Sequence, residues 1–569
     1  MVEANKKKYA ITSNGTKYEM KEGKAVLHLP DGRDIDIPLA EPTFEKDGTS
    51  VGGVGLDVTK ALKGSGYAIY DPGLRNTFIG DNVRGAYIDG PNGICKIGGI
   101  RIEEAAVGLD YIEMSHLLIH GNVPDRESDQ YNKFKENMAK EAILDKNLRQ
   151  GLLKIVAVFK NMKDEDKPMQ MLAAMTSYLS DSDRLPISLT GKDAQKQKGE
   201  TNEQAEERQT KLLKPMWEKG AVRATAVMPI LMAIIHKHIN REFIADFKFP
   251  NLDDFGNDAK NYDQGANLME MMYGNNASRT SLIEKLEKKI SGENVELTRE
   301  EEIQSFISKD YAIKAMNVLL NLHADHGQNA STFTAEAVAS TQKGLWGAIS
   351  SAIQALTGPR HGGANVEVMK TLKEINDGNT INDDNTINDD NIAEVVEKFL
   401  KGSLENKIKV PGLGHAVYTT IDPRATVIKG AINDILEHAH ENPFIKENPE
   451  LSQLVKIAKE MEKQVENDPY FKVRGLSLNV DFYSGLLMNA LGIDKKLFTV
   501  FFETGRVVGQ AASIIDIMEY DKAAIFRPFK RELSIDDSTI EESRARSREA
   551  YLKSKYVNTS DNSKAVQIS

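Results

Sequence analysis

Gly358-Pro359-Arg360-His361-Gly362-Gly363-Ala364-Asn365 is followed by apolar residues at Val366, Met369, Leu372 and Ile375. That spacing of three and four predicts a helix, with His361 at or just before its N-terminus. Two glycines let a ligand approach the backbone closely. The helix dipole favours negative charge there and lowers the pKa of a nearby imidazole. A neutral imidazole N–H so placed can donate to a developing enolate oxygen. Alone, the stretch is a turn histidine beside two glycines, and its meaning depends on what else the chain supplies.

Three further segments supply it. Upstream, Leu322-His323-Ala324-Asp325-His326-Gly327-Gln328-Asn329-Ala330-Ser331-Thr332 puts two histidines three apart at a helix end, before polar residues suited to small carboxylates. A metal pair fits the spacing of His323 and His326, but no third ligand stands nearby. Both are otherwise helix-terminal structural histidines. Downstream, Pro411-Gly412-Leu413-Gly414-His415 is a second glycine-rich approach, and Asp422-Pro423-Arg424 follows it. An arginine grips a carboxylate bidentately, although Arg424 alone reads as a surface salt-bridge partner. In Asn479-Val480-Asp481-Phe482, apolar neighbours desolvate Asp481 and raise its pKa, making it a better base; its plain role is a helix N-cap. Arg506 interrupts an otherwise apolar helix and needs an anion there, and Arg527 in Ile525-Phe526-Arg527-Pro528 is similar. Three imidazoles, a carboxylate and guanidinium groups suit proton abstraction beside a carbonyl, with an anionic second substrate.

The bulk composition narrows the class. The 569 residues are 40% hydrophobic and 28% charged, enough for a large two-domain enzyme with a real core. A net charge of −11 argues against nucleic acid as the main partner. The single cysteine, Cys95, excludes an internal disulfide and a thiolate zinc site. No apolar stretch approaches the roughly 20 residues of a membrane helix; the longest, Ala226 to Ile235, is too short. The start, Met1-Val2-Glu3-Ala4-Asn5-Lys6-Lys7-Lys8, has no apolar run behind it, so a cytoplasmic protein without a secretory signal is expected.

Along the chain, the first 70 or so residues read as β-structure, with runs at Thr16 to Met20, Lys24 to Leu29 and Asp34 to Ile37. Tyr87 to Ile94 reads as a hairpin turn. From Ile102 the period becomes helical, with candidates at Tyr111 to Ile119 (ended by Val123-Pro124), Glu136 to Phe159, Met169 to Leu179, Val222 to Phe243 and Arg299 to Leu322. Lys192 to Lys214 is charged, either a solvated helix or an inserted loop. Asn379 to Asp390 repeats Asn-Thr-Ile-Asn-Asp-Asp twice, which reads as an expanded surface loop; Asp383, Asp384, Asp389 and Asp390 lack EF-hand spacing for calcium. The last 15 residues are polar and read as a mobile tail.

In order, His326, His361, His415, Arg424, Asp481, Arg506 and Arg527 resemble the active-site set of the citrate synthase family, over roughly residues 15–180 and 222–530. The resemblance implies a mostly α, two-domain helical fold with a small N-terminal β-rich segment. The expected division is residues 1–70 for that segment, 71–360 with 487–569 for a large domain, and 361–486 for a small one. It implies condensation of acetyl-CoA with oxaloacetate and thioester hydrolysis, without metal or organic cofactor. A propionyl-CoA-using 2-methylcitrate synthase and a non-catalytic relative are the alternatives. The roles it implies are Asp481 as base, His361 on the enolate and His415 on the ketone, with His326, Arg424 and Arg506 on the oxaloacetate carboxylates. Arg527 resembles an arginine supplied by a partner subunit, which implies a homodimer. The β-rich start resembles the longer bacterial type, some of whose members are hexamers inhibited by NADH; both properties stay open here. Gly327 departs from a glutamate common in the family, and Thr419 and Thr420 stand where a lysine or arginine is often found.

Overall fold

A computed structural model of the chain describes seven short strand segments within residues 8–56, and then residues 82–526 without 160–166, 184–188, 190, 241–246, 251–261, 292, 294, 359–360, 379–386, 416 and 520–524. The chain divides into two compact units. One holds residues 1–61 and 71–525; the other holds 62–70 and 526–569, of which only Phe526 is described. The expected large and small helical domains therefore share the first unit up to Ile525, and the C-terminal tail lies outside the described residues.

The leading strands form an antiparallel five-stranded sheet, in the order Lys8–Ile11, Lys17–Lys21, Lys24–His28, Asp34–Ala40 and Gly55–Leu56. Register runs through Lys8↔Met20, Met20↔Ala25 and Ala25↔Ile37. The expected hairpin also forms: Ala86–Asp89 pairs with Ile94–Ile97 in the register Ile88↔Cys95. Its turn closes where Gly93 takes a left-handed φ of +65°. After Ile102 the described chain is helical.

Helix limits are set by capping groups as much as by apolar period. Tyr111–His120 opens with a capping box between Asp110 and Glu113 and stops at Gly121, whose φ is +82°, two residues before the expected Val123-Pro124 stop. Glu136 to Phe159 is two helices, Asp129–Glu141 and Lys146–Val158, because the Asp145 carboxylate accepts the N–H groups of Asn147 and Leu148 and starts the second. Arg299 to Leu322 likewise divides into Arg299–Ile307 and Asp310–Ala324. Only from Asn202 does the charged Lys192 to Lys214 stretch join the apolar one after it: Asn202–Ile239 is one helix of 38 residues, capped by Thr201 and Gln204. By length and composition this helix is apolar enough to cross a membrane, against the expectation that no stretch is. Its apolar window is 94% buried inside the protein, which makes it a core helix. Of the duplicated hexapeptide, residues 379–386 with Asp383 and Asp384 lie outside the described residues. In the second copy Ile387 is buried, and Asp389 pairs with Lys456 at 2.6 Å.

The centre of the helical body is Phe498–Glu519, buried on all sides apart from Thr499, Ser513 and Glu519. It is apolar nearly all round, as a fully enclosed helix must be. Helices Asn202–Ile239, Asp310–Ala324, Ala330–Ala339 and Leu345–Leu356 pack around it. Its approach to Asp310–Ala324 depends on two glycines one turn apart. A Cβ on Gly505 would lie 2.9 Å from both the His323 Cβ and the Leu320 carbonyl oxygen, and one on Gly509 would lie 2.7 Å from Asp325 Oδ1. The far end is tied to the chain just before the hairpin, where Arg84 bonds Asp516 at 2.5 Å and Glu519 at 2.6 Å.

Gly505→Ala tests this seam by its sign. In a free helix the change stabilises by about 0.5–1 kcal/mol; here overpacking should destabilise by about 1–3 kcal/mol. A lowered thermal midpoint is expected, and a raised one would mean that the two helices do not touch there.

Candidate active site

The first site segment begins where Asp310–Ala324 ends. Asp325 takes an extended conformation (φ −154°, ψ 152°) and is buried. Its Oδ2 accepts the N–H groups of Ala86 at 2.5 Å and Gly327 at 3.2 Å, fastening the loop to the hairpin. Gly327 has a φ of +61°, a conformation that disfavours a side chain. His323 faces the core: its Nδ1 donates to the Leu319 carbonyl at 2.7 Å, and its ring stands edge-on to Phe502 at 4.8 Å. His326 turns the other way, towards His415, with ring centres 5.3 Å apart. The two histidines thus part, and no His323–His326 metal pair exists.

His361 sits in the turn before Ala364–Asn376, with Gly363 as N-cap, as its sequence spacing implies. The N–H of Ser331 donates to His361 Nε2 at 3.3 Å, so a neutral ring carries its proton on Nδ1. The glycines beside it differ. Gly362 is packed, since a Cβ there would lie 2.7 Å from Thr499 Cγ2; only Gly363 opens onto free space.

His415 is oriented by the backbone that follows it. The N–H groups of Val417 and Tyr418 donate to its Nδ1 at 3.0 and 3.2 Å, which puts the proton of the neutral ring on Nε2. Gly412 and Gly414 both have a φ of +78°. Their loop is clamped to the 477–481 segment: Gly414 N–H donates to the Ser477 carbonyl at 2.8 Å, and Asn479 Nδ2 donates to the Gly414 carbonyl at 3.0 Å. This clamp sets His415 beside the start of helix Asp481–Ala490, whose first residue is Asp481. Asp481 keeps partial solvent access, and its carboxylate accepts no hydrogen bond from the described residues.

Arg424 is buried rather than on the surface, and it has a partner two residues away. Its Nε and Nη2 bond Asp422 Oδ1 and Oδ2 at 3.0 and 2.7 Å. Asp422 also caps helix Pro423–Glu437 and accepts the Val480 N–H at 3.3 Å. Arg506 is buried on the central helix, with Nε donating to the His323 carbonyl at 2.7 Å and its guanidinium 4.7 Å from the Phe502 ring. Among the described residues, no hydrogen bond engages Nη1 of Arg424 or either terminal nitrogen of Arg506. Those donors remain for an anion.

The charges set the protonation states. Burial, then Arg506, pushes the His361 pKa down to about 4. Burial, then Arg424, does the same for His415, also to about 4. Burial, Arg424 and His415 hold His326 well below the usual imidazole range. Burial raises Asp481 to about 6 against the pull of Arg424. Burial lowers Arg506 to about 10, still cationic at neutral pH. Desolvation is thus the foremost cause for each imidazole, with the guanidinium groups adding to it. The site offers neutral N–H donors, two cations and one weakly basic carboxylate.

His326, His415 and Asp422 place ligand atoms within 4.8 Å of one another, a group of metal-binding size. It suits a cation poorly. Both Asp422 oxygens are already engaged by Arg424, and that guanidinium would stand against the ion.

Arg360 and Arg527 lie outside the described residues. The reading from sequence overlooked Ser331, Asp325, Asn479, Tyr418 and Asp422 as positioning groups. Only Asp422 carried a recognisable signal, an N-cap aspartate directly before a helix-opening proline.

Comparison with known proteins agrees with this assembly. The model of the family described as citrate synthase, C-terminal domain, matches residues 73–529. The citrate synthase of Corynebacterium glutamicum is 28% identical over 491 residues, covering 86% of this chain and 90% of that protein. The solved citrate synthase of Pyrobaculum aerophilum aligns with a TM-score of 0.59 at 25% identity, over 82% of this chain and 92% of its own. That of Thermoplasma acidophilum, solved in a ternary complex with carboxymethyl coenzyme A and oxaloacetate, shares the fold at a TM-score of 0.55 and 22% identity, over 82% and 98% of the two chains. With every described site segment inside the matched span, the chain belongs to the citrate synthase family of acyltransferases.

Proposed function

We propose that this protein condenses acetyl-CoA with oxaloacetate and hydrolyses the resulting thioester to citrate and CoA, the entry step of the tricarboxylic acid cycle, in the cytoplasm. The observation that carries this reading is the protonation pattern: a carboxyl raised to about 6 stands with two imidazoles near 4 and two buried guanidinium groups. The pattern suits enolisation of a thioester beside an anionic ketone.

Asp481 removes a proton from the acyl methyl group. His361, protonated on Nδ1, donates that hydrogen to the developing enolate oxygen and supports its charge. The enol carbon then attacks the ketone carbon of oxaloacetate, forming the carbon–carbon bond. His415, protonated on Nε2, polarises the ketone and protonates its oxygen as the bond forms. His326 and the unengaged nitrogens of Arg424 and Arg506 hold the carboxylates. Water then cleaves the citryl thioester, releasing CoA as the thiol. Asp481, His361 and His415 supply the proton steps of enolisation and condensation, and the proposed reaction uses no metal or organic cofactor. Arg527 acts from a partner subunit, making a homodimer the catalytic unit.

Thiol release from the purified protein with oxaloacetate tests the acyl preference. Acetyl-CoA should exceed propionyl-CoA in kcat/KM by about tenfold or more, since one methylene is worth about 1–3 kcal/mol in a pocket. The reverse order would make the protein a 2-methylcitrate synthase.

Asp481→Ala should lower kcat by about 10²–10⁴-fold while oxaloacetate still binds. Near-normal turnover in that variant would remove Asp481 from the mechanism.

The carboxylate form of Asp481 is the active one, so kcat/KM should fall as pH drops through about 6. His361 and His415 stay neutral down to about 4 and add no second limb above that. A single acid limb near 4 would show that Asp481 is not desolvated.

A further inference from the structure

Tyr418 touches two site histidines at once. Its ring is 2% exposed and lies 4.8 Å from that of His415 and 5.6 Å from that of His326. Its N–H donates to His415 Nδ1, and its hydroxyl lies 3.1 Å from His326 Nε2. The thiol of Cys95, a fully buried residue of the hairpin strand Ile94–Ile97, lies against the same hydroxyl. The hairpin also grips the loop around Tyr418. Thr419 N–H donates to the Gly90 carbonyl at 3.3 Å, and a Cβ on Gly93 would lie 2.6 Å from Thr420 Oγ1.

Counting protons gives the chain a direction. A neutral imidazole has one N–H, and only that side attracts a carboxylate. With Nε2 turned to Tyr418, the proton must sit on Nδ1 for His326 to bind an anion. Nε2 then accepts from the Tyr418 hydroxyl, and the Cys95 thiol stands against that hydroxyl from the hairpin. The opposite direction would turn a bare Nδ1 lone pair towards the anion.

We infer that Tyr418, backed by Cys95, is a positioning residue that holds His326 in its Nδ1-protonated tautomer, ready to donate to a carboxylate of oxaloacetate. This rests on the oxaloacetate reading of the site. It assigns part of that site's affinity to a residue of the β-hairpin.

Calorimetric titration of the full chain with oxaloacetate, alongside turnover, tests it. Tyr418→Phe should raise the Kd about tenfold, the worth of one buried hydrogen bond, with KM for the acyl-CoA and the thermal midpoint little changed. Cys95→Ala should weaken binding about two- to threefold, and Cys95→Ser, which keeps a donor, should restore it. Nitrogen-15 spectra of the histidine rings should show His326 protonated on Nδ1. An unchanged Kd in Tyr418→Phe, equal losses for both substrates, or a wild-type His326 protonated on Nε2 would each overturn the inference. If Tyr418→Phe fails to fold, an unchanged Kd in Cys95→Ala overturns it instead. A wild-type protein that binds oxaloacetate but releases no thiol sinks the catalytic reading alone, and the binding comparison still decides Tyr418.

Discussion

A guanidinium enclosed on the central helix and bonded to the carbonyl of His323 is the constraint around which the site is arranged. Arg506 can occupy that position because Gly505, beside it in sequence, lets the helix lie against Asp310–Ala324 with no intervening side chain. The same contact fixes where that helix ends, and so where His326 emerges. A cation held out of water is unfavourable unless an anion or a set of dipoles compensates it. One carbonyl, an aromatic face and the nearby Asp325 carboxylate do so in part, and two terminal nitrogens remain for an anion. Arg424 differs: Asp422 already neutralises it and holds it rigid, with one nitrogen to spare.

These two cations also act on groups they do not touch. Their field adds to burial in keeping the nearby imidazoles uncharged, so the histidines serve as hydrogen-bond donors rather than as further cations. The field lowers the pKa of Asp481 while burial raises it, and burial prevails. A carboxyl left at about 6 is a stronger base than an exposed aspartate and is still ionised at neutral pH. The clamp between the Gly412–His415 loop and Asn479 brings one glycine-rich turn up to the start of the helix that opens with Asp481.

Much of this was legible in the residues. Spacing after Gly363 located the helix behind His361, and Tyr87 to Ile94 signalled its own hairpin. Arg506 announced a buried charge by interrupting an apolar run. Legibility ended where a contact joins distant segments or where a cap overrides a period. Asp145 and the Ser308-Lys309 break divide stretches whose apolar spacing continues through them. The charged residues before Leu213 read equally as a solvated helix or an inserted loop, because their helix is continued by a core-buried half whose stability is tertiary. Tyr418 gave no sign, since its hydroxyl meets His326 and Cys95 only in the fold, from two other parts of the chain. Arg424 read as a carboxylate grip or a surface salt-bridge partner, and nothing in the spacing alone showed that it is buried with Asp422 on two of its nitrogens.

Glu503, one turn before Val507 on the central helix, is fully buried, with Gln510 donating to one oxygen at 3.1 Å and no partner for the other among the described residues. Burial keeps its carboxyl protonated up to about 8, although Gln510 and Arg506 pull the other way. An unfolded glutamate ionises near 4.3. Folding at neutral pH therefore takes up a proton at this position, and by linkage its contribution to stability declines as pH rises towards 8. The formal charge of −11 overstates the folded protein's charge by one at this site, and the missing charge lies at the centre of the fold.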